Sequence, residues 1–230
     1  MKQQKPKLVN IDNFIGIWDF AYSTEFCQSV IDVFNNTHIV AKSRKEQEDV
    51  PPEVKSDVAL DCIDSGIMNY DKSVIEYNEL CLNDCNSFIQ KEPIQMYDAM
   101  FHLIRKDYTA KYSMLPISTF TNGGIFKIQK TAKGEAYHTW HCEASAGRTN
   151  RVLAWSIYLN DVDPDDGGET SFLYYKLKCR PKVGRLMVWP AHFTHTHRGE
   201  VYWGNDNKYI MTGWLHYAMP PNPLAIPSES

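Results

Sequence analysis

The chain has 230 residues, 43% hydrophobic and 13% aromatic, a composition that supports one sizeable folded domain and rules out a low-complexity or solenoid chain. A formal net charge of −4 and a pI of 6.1 argue against general attraction to nucleic-acid phosphates. No apolar run approaches the roughly 18 residues needed to span a bilayer, and the six cysteines are scattered without CxxC pairs, so a cytoplasmic protein with reduced thiols and no membrane segment is expected.

Residues 23–36, STEFCQSVIDVFNN, open with Ser23 or Thr24 as an N-cap and keep Phe26, Val30, Ile31 and Phe34 on one face, which predicts an amphipathic helix. KSRKEQEDVPP, residues 42–52, is charged and ends in two prolines, as an exposed connection does. Residues 73–94 have helical periodicity without Gly or Pro until Pro93 and predict a longer helix.

From about Ile117 short segments rich in Val, Ile, Tyr, Thr and Trp alternate with Gly, Asn, Asp and Pro. Strands are expected at 124–131, 136–143, 151–159, 169–175, 185–189, 195–202 and 207–217, with DVDPDDGG as the clearest turn. The predicted fold is mainly β with N-terminal helices (α+β): one domain over 1–230, with helical support over 1–116 and a double-stranded β-helix, or jelly roll, over 117–217. A proline-rich tail follows over 218–230.

YHTWHCE, residues 137–143, and AHFTHTHRG, residues 191–199, hold five of the eight histidines. If 136–143 is a strand, His141 and Glu143 share a face while His138 and Cys142 take the other. The same parity puts His195 and His197 on a common face, with His192 before the strand, and leaves the choice between that pair open. Two imidazoles and a carboxylate on one side of a metal are the mark of nonhaem Fe(II) oxygenases, and the helical HExxH motif of zinc hydrolases is absent.

After Glu143 come RVLAWSIYLNDVDPDDGGETSF (151–172), KVGRLMVWP (182–190) and HRGEVYWGNDNKYIMTGW (197–214). In this order they resemble the prolyl 4-hydroxylase-like branch of the 2-oxoglutarate and Fe(II)-dependent dioxygenases, over roughly residues 123–217. That family begins its site with HxD, sets the distal histidine before a small residue and a valine, and places a basic residue about ten positions later. Here His197 precedes Gly199 and Val201, with Lys208 eleven positions on.

The resemblance implies His141, Glu143 and His197 as metal ligands, Glu143 standing in for the usual aspartate. It implies Lys208 for the distal carboxylate of 2-oxoglutarate, with Thr170, Trp214 and Tyr137 around the cosubstrate; the tyrosine usually found before HxD has only Gln129, Lys130 and Thr131 in its place. Arg148 and Arg151 flank the next strand and are candidates for substrate binding. No catalytic side chain is expected beyond the ligands, and the implied cofactors are Fe(II), 2-oxoglutarate and O2, with ascorbate as a candidate auxiliary reductant.

The activity implied is hydroxylation of an unactivated C–H bond with succinate and CO2 as coproducts. A peptide substrate, prolyl residues first, is the leading expectation, and a small molecule the second. From a different class, a noncatalytic jelly-roll module could bind metal through the same histidines. Only Lys208 follows the distal histidine where nucleobase-modifying relatives carry arginines, which argues against a nucleic-acid substrate. Oligomeric state has no sequence signal here.

Overall fold

Residues 151–158, RVLAWSIY, are apolar apart from Arg151 and Ser156, and they form a strand buried on both faces. In the computed structural model, which describes residues 4–36, 54–63, 66–69, 96–115, 120–146 and 148–217, the rest of the chain is arranged around it. The strands in chain order are β1 (Lys7–Asn10), β2 (Gly16–Asp19), β3 (Val58–Ile63), β4 (Gly66–Asn69), β5 (Phe120–Thr131), β6 (Arg151–Tyr158), β7 (Thr170–Phe172), β8 (Leu177–Cys179), β9 (Arg185–Pro190), β10 (His197–Gly199) and β11 (Lys208–Tyr217). Eight make one sheet in the order β1-β2-β9-β6-β11-β5-β3-β4, and three make a second in the order β10-β7-β8. Every pairing is antiparallel.

Alternation along the central strands splits the interior into two layers. Leu153, Trp155 and Ile157 of β6, Leu186 and Val188 of β9, and Tyr209, Met211 and Leu215 of β11 face one way. Two helices cover that layer: α1 (Thr24–Asn36), and α2 (96–111), which widens into a π turn over Ile104–Tyr108. Ser23 caps α1 by accepting the Phe26 N–H at 3.1 Å, and Cys27, Val30 and Ile31 go inward. Met96, Met100, Leu103 and Ile104 supply the inner face of α2. Each such side chain contributes roughly 1.5–3 kcal/mol by leaving water.

On the other face, Ala154 and Tyr158 of β6, Met187 and Trp189 of β9, and Trp214 of β11 meet Phe172 and Cys179 of the small sheet. This second layer is thinner and more polar, and the same face carries Lys127, Gln129, Thr131, Ser156 and Lys208 inward.

Several expectations change. Residues 136–143 are not a strand; they form an extended connection held by isolated bridges at Tyr137 and His141. The expected strand 195–202 shortens to β10, because Phe193–His195 form a turn of 3-10 helix, and 169–175 shortens to β7. β5 starts at Phe120, four residues earlier than predicted. The part expected to be mainly helical, 1–116, places β1 to β4 in the large sheet. β8 and α2 were also without a prediction. The connection at 42–52, the helix at 73–94 and the tail at 218–230 lie outside the described residues. Among those described, no helix is long and apolar enough to cross a membrane, and Cys27, Cys142 and Cys179 are free thiols.

Asp19, at the end of β2, ties this N-terminal strand to β9. Its carboxylate accepts Arg185 Nε at 2.7 Å and Lys182 Nζ at 2.9 Å. Burial pushes the Asp19 pKa up, but the two cations outweigh it and hold the group below its ordinary 3.8. A carboxylate depressed on folding stabilises in full above its unfolded pKa and loses that contribution as pH falls through the folded one. Asp19→Asn is therefore expected to cost about 1–3 kcal/mol in urea unfolding at pH 7. The gap to wild type should narrow below about pH 4, measured as the same titration repeated down to pH 3.

Candidate metal centre

His141 and His197 lie 56 positions apart, yet they exchange a pair of backbone hydrogen bonds, His141 N–H to His197 O and the reverse, both 2.9 Å. This bridge sets the two rings side by side, with centroids 4.5 Å apart. Two residues on, the Glu143 N–H donates to Ala191 O at 2.9 Å, which fixes the backbone that carries the carboxylate. Short contacts of this kind replace the ladder that a regular strand would have supplied.

Each imidazole is oriented by its own neighbourhood. Nδ1 of His141 lies 3.0 Å from Thr139 O, and Nδ1 of His197 lies 2.8 Å from His195 O. A carbonyl accepts only, so both Nδ1 atoms carry the proton and both Nε2 atoms are turned inward. Each Nε2 is 3.4 Å from Glu143 Oε1, and one potential ligand atom from each residue falls within 4.8 Å of the others. With Nε2 free of its proton, each imidazole would offer a lone pair beside a carboxylate oxygen, a set of donors suited to a cation. The donor set thus fits a divalent metal, and orienting a ligating histidine through a carbonyl on its other nitrogen is common in metal sites.

Glu143 is tied on its other oxygen. Trp214 Nε1 donates to Oε2 at 2.8 Å, and Arg151 donates to Oε2 at 3.4 Å and to the Glu143 carbonyl at 3.0 Å. Burial pushes the Glu143 pKa up, but the facing imidazoles win and keep the group well below the ordinary carboxylate range. The Arg151 guanidinium lies 3.5 Å over the Trp214 ring, so the two donors support each other.

A cavity of about 410 Å³ opens at these ligands. Even-numbered residues of β11, Lys208, Ile210, Thr212 and Trp214, line it together with Lys127, Gln129 and Thr131 of β5. Lys208 is buried, donates to Gly168 O at 3.0 Å, and is pushed down to about 8, mainly by burial. Asp57 and Glu169 oppose that fall, and Lys55 adds to it. Gly168 is at φ +75°, and a Cβ there would lie 3.2 Å from Lys208 Cδ, so a glycine in this turn lets the lysine pass.

The remaining predicted residues separate clearly. Tyr137 lines the cavity and stacks on His141 at 3.8 Å; Thr170 lines it too, its hydroxyl accepting from Tyr158 at 2.8 Å. Trp214, expected beside the cosubstrate, is committed to Glu143, and so is Arg151, expected for substrate. Arg148 is exposed at the rim. His138 turns away, as expected, with Nε2 at 3.0 Å from Ser56 Oγ. His195 is excluded from the centre because its Nε2 is 2.8 Å from Asn13 O. Cys142, expected to face away, borders the cavity instead.

Lys55, Asp57 and Lys127 escaped sequence reasoning. Lys127 could have been found, since it alternates with the core residues Phe126 and Ile128. Lys55 could not. It reaches the cavity because the segment before β3 is pinned along 136–138, through Ser56 N–H to Ala136 O at 2.9 Å and His138 N–H to Val54 O at 2.8 Å. Lys55 Nζ is 3.0 Å from Asp57 Oδ1, a buried ion pair.

Two imidazoles and a carboxylate beside a cavity with a buried lysine form a candidate metal centre of the facial His, carboxylate, His type. Residues 126–216 match the model of the 2OG-Fe(II) oxygenase superfamily. The match covers 91 of the 230 residues, and over that stretch the chain is similar to that superfamily. No curated protein matches the sequence. Among solved structures, a prolyl hydroxylase from Trichoplax adhaerens, in complex with a hypoxia inducible factor peptide fragment, is similar at TM-score 0.64 and 16% identity, over 90% of this chain and 84% of the other. The viral collagen prolyl hydroxylase of Paramecium Bursaria Chlorella virus-1, in its 2OG complex, is similar at TM-score 0.57 and 14% identity, over 91% and 99%. A Pseudomonas putida prolyl-4-hydroxylase gives 0.57 and 13%, over 88% and 92%. At these identities the likeness is one of fold.

His141→Ala and His197→Ala are expected to weaken Fe(II) binding by more than the roughly 10- to 100-fold that loss of an outer-shell partner costs. His138→Ala and His195→Ala should bind Fe(II) as wild type does, the second with a lowered melting temperature. Anaerobic calorimetric titration of the four variants checks this.

Proposed function

We propose that the chain hydroxylates an unactivated C–H bond of a peptidyl substrate, with prolyl residues the first class to test, and releases succinate and CO2 from 2-oxoglutarate. In this reading the two antiparallel sheets are the halves of a jelly roll. His141, Glu143 and His197 would hold Fe(II). The observation that carries the reading is one cavity lined by both these ligands and a buried lysine, six residues from Trp214 on the same face of β11.

Bound Fe(II) and 2-oxoglutarate supply oxidative decarboxylation coupled to oxygen activation; the protein's work is placement. Lys208 would hold the distal carboxylate of the cosubstrate through a charge-assisted bond strengthened by burial. Thr131 and Gln129, whose side chains share that wall, would take part in holding the cosubstrate where the family pattern has a tyrosine. Tyr137 keeps the His141 ring in plane by stacking, and Arg148 stands at the rim where a substrate chain would enter. A peptide is favoured over a free metabolite because the similar Trichoplax structure holds a peptide fragment and the viral enzyme is named for collagen.

Two measurements test the assignment. Anaerobic addition of Fe(II) and 2-oxoglutarate should produce a visible charge-transfer band, and under air succinate should form. Peptide libraries should then show a gain of one oxygen by mass spectrometry; turnover confined to small molecules would overturn the peptidyl part, and absence of both band and succinate would overturn the whole.

The lowered pKa of Lys208 adds a pH signature. Its ammonium form binds the carboxylate, so above about pH 8 the lysine must first regain a proton and 2-oxoglutarate affinity should fall by up to about tenfold per pH unit. Lys208→Met should weaken binding by roughly 10- to 100-fold at pH 7 and remove this dependence. Calorimetry between pH 7 and 10 reads both.

A further inference from the structure

Glu143 stands where the family pattern has aspartate, and its two oxygens are used differently. Oε1 faces both histidine Nε2 atoms at 3.4 Å, whereas Oε2 is bonded by Trp214 and Arg151. The main chain on which the side chain stands is fixed twice, by Glu143 N–H to Ala191 O and by Arg151 to Glu143 O. Trp214 is fixed as well, paired in register with Ala154 of β6 and stacked under the Arg151 guanidinium.

We infer that Trp214 and Arg151 are positioning residues that key this metal centre to glutamate: they bind the carboxylate's second oxygen at a distance only the longer side chain reaches while its first oxygen faces the histidines. The inference rests on the reading of His141, Glu143 and His197 as the metal ligands. With the backbone pinned at both sides, an aspartate is shorter by one C–C bond, about 1.5 Å. It could meet the Trp214 N–H or the metal, but not both. Meeting the metal would strand a buried indole N–H, and meeting the indole would withdraw the ligand. With Oε2 held in this way, Glu143 would offer only Oε1 to a metal.

A double-mutant cycle on the full chain tests this, with anaerobic Fe(II) as the titrant and its dissociation constant as the readout. E143D alone should weaken Fe(II) binding by about tenfold or more. W214F keeps a ring beneath Arg151 but removes the N–H, and in that background E143D should cost little further. A coupling of about tenfold is equivalent to about 1.4 kcal/mol. If Trp214 only packs, the two effects multiply, and the inference is overturned; it is equally overturned if E143D binds Fe(II) as tightly as wild type. Should W214F lose its folded circular dichroism spectrum, the same cycle with R151M decides. Failure of the wild-type chain to bind Fe(II) at all would instead sink the ligand assignment itself.

Discussion

His141 Nε2, His197 Nε2 and Glu143 Oε1 are brought together by contacts made mostly by the backbone: the paired hydrogen bonds between residues 141 and 197, the Glu143 N–H on Ala191, and carbonyls that claim each Nδ1. This framework fixes the three atoms before any ion arrives. The fold therefore presents a preformed donor set to a cation. Because backbone contacts supply the preorganisation, the centre can be built on a short connection and not on a long strand.

The same economy extends through the cavity. Buried charges are costly unless they are paired or bonded, and three groups of the cavity show how this is met: Lys208 on Gly168 O, Lys55 on Asp57, Glu143 on Trp214 and Arg151. Lys208 is the exception in kind, since its bond is to a neutral carbonyl and its proton affinity has dropped accordingly. An incoming carboxylate would add a direct charge partner to the more distant Asp57 and Glu169. The polar face of the large sheet can hold such groups because the other face, packed with Trp155, Ile157, Val188 and Leu215 against α1 and α2, supplies the apolar burial.

Much of this was legible in the sequence, and for physical reasons. β6, β9 and β11 carry strong apolar runs, so period and composition located them; Lys208 and Trp214 share a face because six is even. Parity also paired His141 with Glu143 correctly, though the strand it assumed is absent: an extended connection alternates its side chains as a strand does, so the inference survived its premise. It failed for Cys142 and did not decide between His195 and His197, where a turn of 3-10 helix breaks the alternation. β1 to β4 were invisible because four to six residues such as KLVN or GIMN carry no periodic signal, and pairing with a sheet edge, a tertiary event, makes them strands.

The roles of Arg151 and Trp214 show the limit most sharply. A sequence pattern gives each residue one role, cosubstrate for one and substrate for the other, and nothing in the spacing of 143, 151 and 214 says that they meet. They meet because β6 and β11 are neighbours, with His216 opposite Arg151 and Trp214 opposite Ala154, which brings an indole N–H and a guanidinium to the same carboxylate. Glutamate in place of aspartate looks like a weakened ligand when the motif is read alone. Beside those two donors it is the side chain whose length satisfies both ends, and the departure from the family pattern is then a property of the surrounding sheet.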